Sequence, residues 1–222
     1  ADIRIDGAGK KVTRSDNCRV SDLSISSDNL TFTYEAKSLP YPIDTSYYDN
    51  EKHTQADALS VIPFMDEMNY EGLSVSGLSD GYYGLTIGGE FIGRFTAREL
   101  ERGTNMALLQ NTPQYKQAMK IRQMNEERWL KERKMREFYW VEYNLMRKTG
   151  MLWACNEAAV DTLRKYRPHD IFLQWNGALW LQYMHKGIRE DCVNEQQDLV
   201  NQIYEQNKPI PLRIEIKKFT DL

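Results

Sequence analysis

The chain has 222 residues, enough for one large domain or two small ones sharing a core. A hydrophobic fraction of 41% and a charged fraction of 27% exclude a disordered chain, and a net charge of −3 with a pI near 5.7 gives no electrostatic reason for a nucleic-acid partner. No apolar run approaches the roughly 20 residues that span a bilayer.

In chain order, the N-terminal third is β. Ile3 and Ile5 alternate with Asp2, Arg4 and Asp6, the period-two pattern of a half-buried strand. Ala1 to Asp6 carry neither the basic nor the apolar stretch of a signal peptide. A start in mid-strand without Met reads as a mature or trimmed piece of a longer protein. Leu23 and Ile25 alternate with serines, Asp28-Asn29 turns the chain, and Leu30, Phe32 and Tyr34 alternate with Thr31, Thr33 and Glu35. An antiparallel meander is expected. Leu39-Pro40-Tyr41-Pro42-Ile43-Asp44 then leaves the sheet, because prolines cannot donate to a central ladder.

A short helical insertion is predicted over 54–71, capped by Thr54 with Asp57 in its first turn and broken at Pro63. Strands follow at Leu73–Val75, Tyr82–Ile87 and Glu90–Phe95, with Asp80-Gly81 and Gly88-Gly89 as tight hairpin turns. Thr96-Ala97-Arg98-Glu99 is a capping box, opening a short helix that Gly103 ends.

From Thr112 the chain is nearly all helical. Thr112 caps, Pro113 fits the first helical position, and Gly150 stands where a left-handed cap belongs, so one helix is predicted over 113–148, roughly 50 Å long. Its waist from Asn125 to Glu137 is charged, with Glu127–Lys131 and Glu132–Arg136 in the favourable i,i+4 order. Phe138-Tyr139-Trp140-Val141 is apolar nearly all round and predicts burial at that end. Further helices are expected over 156–166, 169–185 and 189–206, and Ile210, Leu212, Ile214 and Ile216 alternate as a final strand. The fold class is therefore α+β. A small antiparallel sheet or sandwich is formed by residues 1–104 and the returning strand 210–222, with a helical region over 105–209, all in one structural unit.

Chemistry is sparse. Gly77-Leu78-Ser79-Asp80-Gly81 matches the G-x-S-x-G nucleophile elbow, but it lies between strands predicted as antiparallel, where Ser-Asp-Gly is turn chemistry. Asp49, Glu51 and His53 could gather at a metal, yet they sit in a polar loop without strong ligand spacing. His169 and His185 read as helix-end residues. Cys18, Cys155 and Cys192 are widely spaced without a CxxC and predict free thiols. No P-loop, GxGxxG, HExxH or EF-hand loop occurs, so no cofactor or metal is expected.

Several phrases, in order, resemble the C-terminal region of bacterial SGNH/GDSL-type hydrolases of the esterase-lipase superfamily. They are Leu39 to Asp44, Gln55 to Leu59, Val61 to Phe64, Tyr83 to Gly89, Gly93 to Leu100, Asn105-Met106-Ala107 and Asn111-Thr112-Pro113. That superfamily carries its nucleophile in a Gly-Asp-Ser block and its acid and base in a late Asp-x-x-His; neither occurs here. The resemblance thus implies an accessory region lying after a catalytic domain, with no catalytic residue of its own. Its partner would be that N-terminal SGNH domain, its substrate an acylated glycan or other ester, and its location periplasmic or extracellular. Tyr41, Asp44, His53, Asn105 and Trp129 are the candidate pocket or surface residues, and the apolar surface near Trp129 and Met135 is a candidate vacated interface. The competing reading is a module that binds carbohydrate or protein through exposed aromatics.

Overall fold

The computed structural model describes residues 1–45 and 54–219. The fold is α+β, with two antiparallel-rich sheets and one long helix. Two compact units divide the chain, Ala1–Arg122 with Gln206–Leu222, and Gln123–Glu205.

Among the described residues the first unit holds nine strands: β1 (Asp2–Asp6), β2 (Lys11–Asp16), β3 (Cys18–Ile25), β4 (Asn29–Ala36), β5 (Gly72–Ser76), β6 (Tyr82–Ile87), β7 (Glu90–Thr96), β8 (Thr104–Asn105) and β9 (Leu212–Lys218). They form a four-stranded sheet in the order β2-β1-β5-β8 and a five-stranded sheet in the order β3-β4-β9-β6-β7. The alternation read from the sequence sets which side chains face inward. Ile3, Ile5, Leu73 and Val75 from one sheet and Phe32, Tyr34, Leu85, Ile87, Ile214 and Ile216 from the other share a single apolar core. Strand β9 pairs with both β4 and β6, so the C-terminal strand completes the larger sheet.

Two local expectations are corrected. Asp80-Gly81 is not a hairpin turn, because β5 pairs with β1 and β8 while β6 pairs with β7 and β9. The chain changes sheets there, and Gly77 at φ +70° and Gly81 at φ +144° supply backbone conformations that other residues rarely adopt. The smaller sheet is also mixed, since β1 and β5 run parallel in register Asp2↔Gly72 through Asp6↔Ser76.

The insertion forms a 3₁₀ turn (Gln55–Ser60) and a one-turn helix, α1 (Phe64–Glu67), with the predicted break at Pro63 between them. Helix α2 (Ala97–Arg102) has its capping box complete: Thr96 Oγ1 accepts from Glu99 N at 3.2 Å, and Glu99 Oε2 accepts from Thr96 N at 2.7 Å.

Helix α3 (Pro113–Val141) begins in the first unit and continues into the second. At 29 residues its α-helical part is about 43 Å long, shorter than expected from the sequence. Beyond Val141 the backbone opens into a π turn, Glu142–Met146, and Gly150 at φ +73° follows. The second unit adds α4 (Glu157–Tyr166), α5 (Ile171–Tyr183) and most of α6 (Lys186–Gln206). Its core gathers Phe138, Val141, Met146, Leu163, Leu173 and Trp180. In the charged waist the two foreseen pairs are long, at 3.8 and 3.9 Å. Tighter ones are Arg128–Glu132 at 3.1 Å, Arg133–Glu137 at 2.7 Å and Lys131 with Glu195 of α6 at 2.6 Å.

Candidate functional site

The structure brings three of the five sequence candidates into one polar cluster in the β unit. Asn105 ends β8, and its amide works in both directions. Nδ2 donates to the carbonyls of Met65 (2.9 Å) and Asn69 (3.1 Å), while Oδ1 accepts from Glu71 N (2.9 Å) and Ala107 N (3.1 Å). Asn69 in turn clasps the backbone of Tyr41, donating to its carbonyl and accepting from its N–H, both at 2.8 Å. Gln55 bridges onward, donating to the Tyr41 hydroxyl and accepting from Asp44 N, both at 2.9 Å. The Asp44 carboxylate meets Arg122 of α3 at 2.7 Å, with both side chains mostly buried. The Tyr115 hydroxyl donates to the Ile43 carbonyl at 2.5 Å. The proline-rich segment that cannot pair as a strand is therefore held by side chains, which satisfy backbone groups that no ladder reaches.

At the heart of this cluster lies an acid that the sequence reading passed over. Glu71 is buried, and its carboxylate accepts from the Tyr34 hydroxyl at 2.9 Å and from Gln114 Nε2 at 3.4 Å. Burial pushes its carboxyl above the usual range, while the hydrogen bonds from Tyr34 and Gln114 pull the other way. The Tyr34 phenol is pushed up by burial and by the neighbouring carboxylate. The Gln114 amide oxygen is buried without a hydrogen-bond partner among the described residues. The available signal was a lone acid, Glu71, placed just before the apolar run of β5.

Among the described residues this cluster offers a buried carboxyl but no positioned nucleophile or imidazole. His53, with Asp49 and Glu51, lies outside the described residues. Among the described residues no group of three or more His, Cys, Asp or Glu has metal-binding geometry. The Gly77–Gly81 stretch is the irregular connection between the two sheets, not the strand-to-helix elbow that the G-x-S-x-G pattern requires. Ser79 Oγ accepts from Lys218 Nζ at 2.8 Å and lies 3.1 Å from the Tyr83 hydroxyl. A serine beside a lysine invites a catalytic reading, but lysine activates a nucleophile when stripped of water. Here the pair is exposed on a surface connection.

The fifth candidate, Trp129, lies apart in the helical unit, 47% exposed, with Arg136 5.6 Å above its ring. Met135 is only 6% exposed and belongs to the core, so the surface expected near both residues reduces to Trp129. The second buried acid, Glu142, sits at the start of the π turn. Its two oxygens accept from Trp180 Nε1 and from Trp153 N, each at 2.8 Å. Trp153 holds φ +62°, an outlier for so bulky a residue, and packs edge-on against Tyr139 and Tyr143. A single Glu inside the aromatic run Phe138 to Leu145 was the sequence signal for this site.

Comparison with known proteins adds the biological context. A family model described as the diltiazem deacetylase C-terminal helical domain matches residues 119–208. A solved structure, described as a gut microbial diltiazem-metabolizing enzyme, superposes with a TM-score of 0.91 at 34% identity over 99% of this chain. The chain spans about half of that enzyme, 50% of its length. No curated protein matches the chain. The helical region is thus similar to the diltiazem deacetylase C-terminal helical domain, and the chain shares its fold with half of a diltiazem-metabolizing enzyme.

Proposed function

We propose that this chain is the accessory, non-catalytic C-terminal region of an acyl-ester hydrolase of the SGNH/GDSL type. In this reading the nucleophile, oxyanion donors, acid and base belong to a separate catalytic domain corresponding to the other half of the solved relative. The observation that carries it is the 34% identity over 99% of this chain to half of a diltiazem-metabolizing enzyme. The Leu39 to Asp44 and Asn105 phrases that first suggested the superfamily support it, because they meet in one hydrogen-bonded cluster. The substrate class is an acyl ester, with acylated glycans as the leading example, and the setting is periplasmic or extracellular.

The test is turnover of p-nitrophenyl acetate by purified residues 1–222. No hydrolysis above the buffer rate is expected, whereas turnover abolished by a serine-directed phosphonofluoridate would overturn the reading. The coding sequence ahead of Ala1 provides an independent check: a nearby Asp-x-x-His and a distant Gly-Asp-Ser are expected. A second reading, a carbohydrate- or protein-binding module, is favoured by Trp175 of α5, which is 66% exposed. Retention of defined glycans on an array by this chain alone would select that reading.

A further inference from the structure

The helical unit contains a cleft of about 340 Å³ whose lining comes from three stretches of chain. Trp140, Leu145 and Leu173 form an apolar wall, while Lys148, Tyr166 and His169 stand around it. Leu145 lies in the π turn, whose wider backbone displaces its residues from α-helical spacing. The Trp140 ring continues outward into an aromatic strip. It stacks on Phe172 at 5.3 Å, tilted 37°, and Phe172 meets Trp175 edge-on at 5.5 Å.

The balance of hydrogen-bonding groups indicates what such a cleft would accept. Among the described residues, Lys148, His169 and the Tyr166 hydroxyl make no hydrogen bond or ion pair, so three donors converge unspent. Asp170 also lines the cleft, but its Oδ1 already accepts from Phe172 N at 2.8 Å and Leu173 N at 3.2 Å as the N-cap of α5. An apolar, aromatic wall beside a few convergent polar groups is the usual composition of a small-molecule site.

We infer that this cleft binds a small aryl carboxylate, its ring against Trp140 and its carboxylate on Lys148, His169 and Tyr166. The inference is independent of the hydrolase reading, because it concerns a site within the helical unit and requires no catalysis.

Equilibrium dialysis of the full chain against 2-naphthoate tests it, with neutral 2-naphthamide and cationic 2-naphthylmethylammonium as comparisons. One saturable equivalent of the acid should bind, about tenfold more tightly than the amide. Lys148→Met should weaken binding about tenfold, His169→Ala should weaken it several-fold, and Lys120→Met on the surface of α3 should leave it unchanged. Lys148 and His169 are both exposed, so the variants should keep the parent circular dichroism spectrum. Tighter binding of the cation would overturn the proposal by assigning the cleft to Asp170. So would the absence of saturation, or equal affinity in Lys148→Met.

Discussion

The two units each bury a glutamate, but in different company. In the β unit, the Glu71 carboxylate accepts from two side chains among the described residues, the Tyr34 hydroxyl and the Gln114 amide. In the helical unit, Glu142 accepts an indole N–H and a backbone N–H, and the backbone donor belongs to a residue in a left-handed conformation. The β unit would keep its shape without its acid, because two sheets already share an extensive apolar core with every strand paired. The helical unit has a smaller apolar core, and its acid fixes the loop after α3 and the last turn of α5 together. One acid adjusts a fold that other forces build; the other is part of what builds it.

The largest effect should therefore follow removal of Glu142. Glu142→Ala leaves Trp180 Nε1 buried without an acceptor and releases the strained Trp153, and should cost about 3 kcal/mol in urea melts of the helical unit. Glu142→Gln keeps one acceptor oxygen and should lose less. If the alanine variant melts with the parent, Glu142 does not organise this unit.

Glu71 predicts a smaller loss with a distinctive dependence on pH. Glu71→Ala strands Tyr34 and Gln114 and should cost about 2 kcal/mol. Because burial raises the folded carboxyl above its unfolded value, the folded state retains the proton longer. Below the unfolded carboxylate range both states are protonated and the group contributes nothing. As pH rises above that range the unfolded chain ionises first, so stability falls until the folded carboxyl ionises as well. Glu71→Gln should abolish this decline, giving a variant that gains on the parent in thermal melts as pH rises above the ordinary carboxylate range. A parallel pH profile for the two proteins would contradict the assignment.

What the sequence revealed divides along the same line. In the strands, period-two alternation links position directly to burial, so Ile3, Phe32, Leu85 and Ile214 fell on the correct face without further information. Strand partnership was less legible: β1 and β5 pair in parallel although residues 7–71 intervene, and only long-range closure decides that. For α3 the charged waist carries little apolar stripe, and α5 is apolar nearly all round, so neither reports its buried face. Tyr41, Asp44 and Asn105 were recognised because their phrases resemble a family. Glu71 and Glu142 were missed because a single acid beside an apolar run resembles a solvated edge until its partners, distant in sequence, are placed around it.

The smallest expected effect lies at Trp129, in the unit that holds all five tryptophans. Trp180 is fully buried, whereas Trp129, Trp153 and Trp175 are exposed, much as the β unit buries Phe32, Tyr34 and Tyr83 but exposes Tyr41, Tyr82 and Phe91. Trp129 contacts the Arg136 guanidinium and otherwise presents its ring to solvent. A cation–π contact at an exposed site contributes about 0.5–1 kcal/mol. Replacing an exposed tryptophan also removes an unfavourable hydration cost, so the two nearly offset. Trp129→Ser should therefore shift the urea midpoint of this chain by less than about 0.5 kcal/mol equivalent. A loss of 2 kcal/mol or more would show that Trp129 is a packing residue of α3. In that case Trp129 would belong with Phe138 and Trp180, the aromatics that build the helical unit, rather than with its exposed surface.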